Sequence, residues 1–306
     1  MVGAGAVGAT FSYALAQSGL ADEIVLIDQN TDLVKGQVLD LSHGQPFFPT
    51  VSIRAGQPED YTDAQAIVIT AGAAQRPGET RLQLLQKNAA IIKDIVGKIV
   101  KQNSNSVIIV VSNPVDVLTQ VALLRSGWER GRVIGSGTVL DSSRLRYLLS
   151  LHCGVDVHNV HAYVLGEHGD SEFTAWSMTH VAGIHIDEYC PVCHHCSDWA
   201  EERTRIEQEV RDSAYHIIGY KGATYFAVGL ALVRITEAIL RGQNSVLTVS
   251  TRLDGEFGLH DVCLSVPCIV SEHGVARIIE SDLSEKEHQA LAASADLLKK
   301  AYAQIN

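Results

Sequence analysis

Several features are scarce or missing in this sequence, and each absence narrows the reading. No apolar run approaches the roughly 18 residues that a membrane-spanning helix needs. The stretch Val107–Val111, for example, stops at Ser112-Asn113-Pro114 and reads as a buried strand. The chain does not open with a basic region and an apolar core, so no secretory leader is expected and a cytoplasmic location is the default. Positive charge is in deficit: 24 Lys and Arg stand against 35 Asp and Glu, a formal net charge of -11. An acidic surface repels nucleic acid and anionic lipid, so neither is expected as a partner. An anionic substrate must therefore meet locally placed arginines. Cysteine is sparse as well, six in 306 residues, too few for a disulfide framework in a chain this long.

What remains is ample for a folded core. Hydrophobic residues make up 46% of the chain and charged residues 19%, which excludes wholesale disorder. The first half alternates short apolar runs (Ile24–Ile27, Val51–Arg54, Ala66–Ile69, Val107–Val111) with helical patterns at Thr10–Ser18 and Asp32–Leu41. The strongest helical pattern places Leu82, Leu85, Ile92, Ile95 and Ile99 on one face. Such alternation predicts an α/β fold built on a doubly wound parallel sheet. From about Asp141 the pattern changes, with helices expected over Asp198–Ile218 and Tyr225–Leu240. Strands are expected at Val160–Leu165, Val246–Thr251 and Val262–Val270. Ser284-x-x-Glu287 is a capping box opening a last helix through Ala301. Two units follow, residues 1–140 and an α+β unit 141–306, packed together without a linker.

Gly3-Ala4-Gly5-Ala6-Val7-Gly8 opens a helix, and the next strand ends in Asp28, about twenty residues on. Glycines permit a tight turn and close backbone approach to a pyrophosphate, which the helix N-terminus then stabilises. A carboxylate at Asp28 suits the ribose hydroxyls and repels a 2′-phosphate, so the expected cofactor is NAD rather than NADP. Asp28 has a plainer alternative, an exposed residue at a strand end. The motif should follow a complete strand, yet only Met1-Val2 precede it. Further residues are expected ahead of Met1 in the full protein.

Hydride exchange with a hydroxy acid needs a base for the hydroxyl proton, a cation for the carboxylate and a second positive group to polarise the carbonyl. His168 lies in Gly166-Glu167-His168-Gly169-Asp170, directly after a strand-like run, and histidine both takes and returns protons near neutral pH. Asp141 and Arg144 stand three apart at a helix start: either a carboxylate orienting an imidazole beside a guanidinium gripping a carboxylate, or a helix cap with a surface ion pair. Arg81 follows the polar segment Gln75-Arg76-Pro77-Gly78-Glu79-Thr80, which reads as a closing lid or as an ordinary exposed loop.

Together these residues resemble the L-lactate dehydrogenase family in its bacterial form. The resemblance spans nearly the whole chain: Gly3–Gly8 with Asp28, the loop Thr70–Arg81, Ser112-Asn113-Pro114-Val115-Asp116, Gly135–Arg144, His161–Asp170 and Lys221-Gly222-Ala223-Thr224. It implies a Rossmann NAD-binding domain followed by a catalytic domain, pyruvate and lactate as substrates, and a homotetramer. It implies that Gly3, Gly5, Val7, Gly8, Asp28, Thr70, Ala71, Gly72 and Asn113 serve the cofactor. His168 is then the proton donor and acceptor, Asp141 its partner, Arg144 the carboxylate anchor and Arg81 the mobile polarising group. Asn113 hydrogen-bonds near the reacting oxygen and Thr224 lines the substrate pocket. The related malate dehydrogenases carry arginine where this loop has Gln75, and a neutral side chain there leaves a second substrate carboxylate unpaired. Arg76 would read the substrate if the register slipped by one; the frame Pro77-Gly78-Glu79-Thr80-Arg81 and Thr224 favour the lactate register. Arg146 and His161 match the positions where bacterial members bind fructose 1,6-bisphosphate as an effector, although a surface arginine and a buried histidine would look the same.

Cys190-Pro-Val-Cys193-His194-His195-Cys196 departs from the family. Cys-x-x-Cys-His is a haem-attachment spacing and Cys-x-x-Cys-x-x-Cys suggests a metal. In a surface loop of a cytoplasmic dehydrogenase neither is expected, and no metal is assigned. Two other readings stay open: a malate dehydrogenase or broad 2-keto acid reductase, and a non-catalytic NAD-binding protein.

Overall fold

The computed structural model describes residues 1–74, 78–193 and 198–305, with the side chains of 191–193 excepted. Gln75, Arg76, the Cys193 side chain and Cys196 therefore lie outside the described residues.

Helix and strand alternate through the first half: α1 (Ala6–Ser18), β1 (Glu23–Leu26), α2 (Thr31–His43), β2 (Ser52–Ala55), β3 (Ala66–Ile69), α3 (Arg81–Lys101), β4 (Val107–Val110), α4 (Val115–Ser126) and β5 (Val133–Gly135). Strands β3, β4 and β5 pair in parallel, as do β1 and β2. Val2 bridges both Ile27 and Ile69 in parallel, so the two residues ahead of the glycine motif join these groups into one sheet. Its spatial order is β2, β1, Val2, β3, β4, β5, which is doubly wound about the N-terminal segment. All four residues of β4 are buried, as expected of a strand covered on both faces. Helix α3 starts at a reciprocal Thr80/Gln83 capping box and buries Leu85, Ile92, Ile95 and Ile99 in the main core, whereas Leu82 in its first turn is exposed.

The second half contributes α5 (Val139–Cys153), β6 (Val160–His161), β7 (Val164–Leu165), β8 (Phe173–Thr174), β9 (His180–Val181), β10 (Ile184–His185), α6 (Ile186–Cys193), α7 (Trp199–Lys221) and α8 (Phe226–Leu240). It continues with β11 (Ser245–Leu247), β12 (Ser250–Asp254), β13 (His260–Ser265), β14 (Cys268–Ser271), β15 (Gly274–Ile278) and α9 (Glu285–Ala303). The hairpin β12–β13 adds to the parallel sheet by antiparallel pairing of Ser250 with Gly135. The main apolar core accordingly runs from β1 and β3–β5 into α8, β13 and α9. A second core, including Leu145, Leu149, Val160, Trp176, Ile206 and Val210, lies between α5 and α7.

Three expected strands are each two. Residues 160–165 split into β6, which pairs with β9, and β7, which pairs with β8. Residues 246–251 divide between β11 and β12, in different sheets. The run 262–270 breaks at Val266-Pro267, because proline has no N–H for the ladder. The expected surface loop after Ile184 is helical through Cys193. Among the described residues, no helix is long and apolar enough to cross a membrane.

Candidate active site

Two segments bring the candidate proton-transfer groups together. Helix α5 carries Asp141 and Arg144 in its first turns, and the turn after β7 carries His168. Their relative placement is fixed by buried hydroxyls at the start of α5. Thr138 Oγ1 donates to Val164 O at 2.5 Å, and Ser142 Oγ accepts from Val164 N at 2.9 Å. The strand turns at Gly166, whose φ of +93° and whose contact with Ser294 leave no room for a Cβ. Buried Asp116, at the start of α4, accepts the backbone N–H of His168 at 2.8 Å, and burial pushes its carboxyl up to about 6.

His168 Nδ1 lies 2.6 Å from Asp141 Oδ2, and Arg144 Nη1 donates to Asp141 Oδ1 at 2.6 Å. Asp141, at the centre, is 2% exposed in its side chain, Arg144 12% and His168 27%, so the acid is sealed and the imidazole is the most accessible of the three. With Nδ1 committed to Asp141, Nε2 is the ring nitrogen left for proton exchange. The Asp141 charge raises His168 to about 9 against the opposing effect of burial. Burial drives Asp141 upward, but His168 and Arg144 outweigh it and hold the carboxyl below its usual range. Of the two readings of Asp141 and Arg144, the structure takes the buried one: the helix cap is Thr138, and Asp141 is turned inward.

Six of the cofactor candidates share one cavity, while Val7, Gly8 and Asn113 are not among its lining residues. This cavity, of about 970 Å³, is lined by Gly3, Gly5, Asp28, Thr70, Ala71 and Gly72 together with residues of α2 and α3. A Cβ on Gly5 would meet open space, whereas one on Gly8 would collide with Gly3 O at 1.9 Å. The first turn of α1, including Val7, is thus packed close to the strand while its N-terminus stays accessible. Asp28 accepts Ala4 N at 2.8 Å through Oδ2 and Asn30 N at 2.9 Å through Oδ1. Each oxygen keeps a lone pair for a further donor, as a ribose diol requires. A pyrophosphate-bridged dinucleotide fits these residues, with phosphates at Gly5 and sugar at Asp28.

Asn88, buried on α3, was not singled out by sequence reasoning. Its Oδ1 accepts Ala73 N at 2.8 Å and its Nδ2 donates to Asn113 O at 3.1 Å, tying the Thr70–Gly72 loop to Asn113. A polar residue on the apolar face of α3 was the only available signal. Glu172, four residues beyond His168, was also missed; its carboxyl, that of Asp141 and the His168 ring lie within 4.8 Å of one another. That is a cation-site spacing, but Asp141 is already satisfied by an imidazole and a guanidinium.

Arg81 is the exposed first residue of α3. Asn113 is exposed above β4, and Thr224 is half-buried between α7 and α8. Arg146 donates to Val160 O at 2.9 Å and lines a cavity of about 420 Å³ with His161, Ser143 and Arg234. His161 is exposed, which removes the buried-histidine alternative. Cys190 is buried with Sγ 3.3 Å from His152 Nε2.

Comparison with known proteins matches this architecture. Residues 1–135 match the lactate/malate dehydrogenase NAD binding domain, and residues 138–306 the lactate/malate dehydrogenase alpha/beta C-terminal domain. The chain is 60% identical to an L-lactate dehydrogenase of Treponema denticola, over 100% of this chain and 97% of the relative. It is 51% identical to an L-lactate dehydrogenase of a Thermoanaerobacter species, over 98% and 96%. Among solved structures, a lactate dehydrogenase from a Medee basin deep-sea metagenome superposes with a TM-score of 0.97 at 43% identity, covering 99% and 97% of the two chains. The ligands-bound minor L-lactate dehydrogenase of Enterococcus mundtii gives 0.96 at 40% identity, covering 100% and 97%.

Proposed function

The chain belongs to the lactate/malate dehydrogenase family, and on that premise we propose that it is an NAD-dependent L-lactate dehydrogenase, reducing pyruvate to (S)-lactate reversibly. The observation that carries this reading is the hydrogen-bonded series Arg144–Asp141–His168, sealed at its central acid and most open at its imidazole. When bound, the nicotinamide supplies or accepts the hydride. The chain's own groups do the rest. Protonated His168 gives its Nε2 proton to the ketone oxygen as pyruvate is reduced and takes it back from the hydroxyl in the reverse direction. Asp141 holds the imidazolium in place and stabilises its charge. Arg144 turns its remaining guanidinium N–H groups to the substrate carboxylate. Arg81 polarises the carbonyl from the loop ahead of α3, Asn113 supports the reacting oxygen, and Thr224 lines the pocket.

Gln75 supports pyruvate over a dicarboxylate, since no positive charge is offered at that loop position. The unit that holds the cofactor ends near residue 140, and 141–306 supplies the substrate groups. We further read the cavity beside Arg146 and His161 as the site of fructose 1,6-bisphosphate, acting in a homotetramer; two cationic or titratable groups suit phosphates.

His168→Asn tests the assignment. Pyruvate turnover with NADH should fall by roughly 10²–10⁴-fold while NADH binding, followed by its fluorescence, persists. Unchanged turnover would remove His168 from the reaction.

A further inference from the structure

The proton-transfer pair has a third ionisable neighbour with no part in the mechanism above. Glu172 is 6% exposed, and its carboxyl lies within 4.8 Å of both the Asp141 carboxylate and the His168 ring. The charged groups that act most on it are Asp141, which raises its carboxyl, and His168, Arg144 and Arg211, which lower it. From α5 come Asp141 and Arg144, and the Arg144 guanidinium is turned to Asp141 Oδ1 at 2.6 Å. From α7 comes Arg211, which donates to Glu172 backbone O at 3.4 Å and to Glu207 Oε1 at 3.1 Å. From its own loop comes His168, whose backbone is held by Asp116 on α4. Both arginines are thus directed elsewhere. A second negative charge beside Asp141 would sit in a buried place without a dedicated counter-ion, which favours the neutral acid. Burial first, and the Asp141 charge second, push the Glu172 carboxyl up to about 9.

The charge of the site follows from this. Counted over the hydrogen-bonded series alone, Asp141 contributes one negative charge and Arg144 and protonated His168 one positive charge each, so with Glu172 neutral the series is one positive charge ahead; Asp116, which accepts only the backbone N–H of His168, stands outside that series. A monocarboxylate then enters as the balancing charge. With Glu172 ionised the cluster is already neutral, and the incoming carboxylate is left unbalanced.

We propose that Glu172 is a positioning residue of the substrate site, a carboxylic acid that keeps its proton in the resting enzyme so that the Asp141–Arg144–His168 cluster attracts a substrate monoanion. The proposal rests on the roles given above to His168 and Arg144. Pyruvate binding at alkaline pH then requires two protons to be retained, one on His168 and one on Glu172.

The test pairs kinetics with a spectroscopic readout. For wild type with NADH, KM for pyruvate should rise by up to about a hundredfold per pH unit above pH ~9, the consequence of two protons. In Glu172→Gln the rise should be about tenfold per unit, since one proton remains, and Glu172→Asp should restore the steeper dependence. Independently of turnover, infrared difference spectra at pH 7 should show a protonated-carboxyl band in wild type that Glu172→Gln lacks. An unchanged slope in Glu172→Gln, or no such band at pH 7, overturns the proposal. Should the protein not reduce pyruvate at all, the functional assignment fails, and the infrared band alone decides the protonation of Glu172.

Discussion

At the scale of single residues, the behaviour of His168 depends on Asp141. The Asp141 charge holds the imidazole proton to about pH 9, so pyruvate reduction, which needs the acid form, should persist to that pH and then decline. Lactate oxidation needs the neutral base and should gain as pH rises through the same range. In Asp141→Asn the limb should move from about pH 9 toward the ordinary histidine value near 6.5, measurable as the pH profile of kcat/KM for pyruvate. A limb left near pH 9 would mean that Asp141 is not the group acting on His168. The same pair makes stability depend on pH. Folding raises the His168 affinity for its proton, so the stabilisation is complete below about pH 6.5 and is lost as pH approaches 9. Arg144→Lys should raise KM for pyruvate by about ten- to a hundredfold, because an ammonium cannot replace a two-pronged guanidinium. His168, Asp141, Arg144 and Asp28 were legible as residues because chemistry restricts the side chains that can serve. Glu172 was not, since a glutamate four positions past a histidine looks like any loop acid until burial removes its water.

At the scale of elements, the site is built where loops leave strands and helices begin. Parallel strands β3 and β4 and helix α3 were readable because continuous apolar runs and a 3.6-residue period leave few alternatives. The splitting of 160–165, 246–251 and 262–270 was not, because strand ends depend on which neighbour supplies the hydrogen bonds, a long-range matter apart from Pro267. The same limit hid Thr138, Ser142 and Asn88, whose partners lie far along the sequence. Asn88→Ala should leave the Ala73 amide and the Asn113 carbonyl without their shared partner and cost about 0.5–1.5 kcal/mol. Urea unfolding reads this directly, and weaker NADH binding should accompany it. A loss below a few tenths of a kcal/mol would mean that the loops hold themselves.

At the scale of the molecule, the doubly wound sheet places Gly5 and Asp28 in one cavity of the first half, and the pairing of Ser250 with Gly135 ties the second half, which carries His168, to the same sheet. The order of the fold was legible from alternation alone, and the junction through Ser250 and Gly135 was not. Assembly and effector response belong to this scale. Sedimentation should show a tetramer, and fructose 1,6-bisphosphate should lower KM for pyruvate in wild type but not in Arg146→Gln, a loss that leaves Nε2-based chemistry at His168 untouched. A pyruvate saturation curve unmoved by the bisphosphate would remove Arg146 and His161 from any effector role.

The most direct measurement is kcat/KM with NADH for pyruvate against oxaloacetate on the same preparation, with and without fructose 1,6-bisphosphate. A preference for pyruvate of at least about tenfold is expected, since Gln75 leaves the second carboxylate of oxaloacetate unpaired. A preference for oxaloacetate would contradict the assignment, placing Arg76 at the substrate and making the protein a malate dehydrogenase.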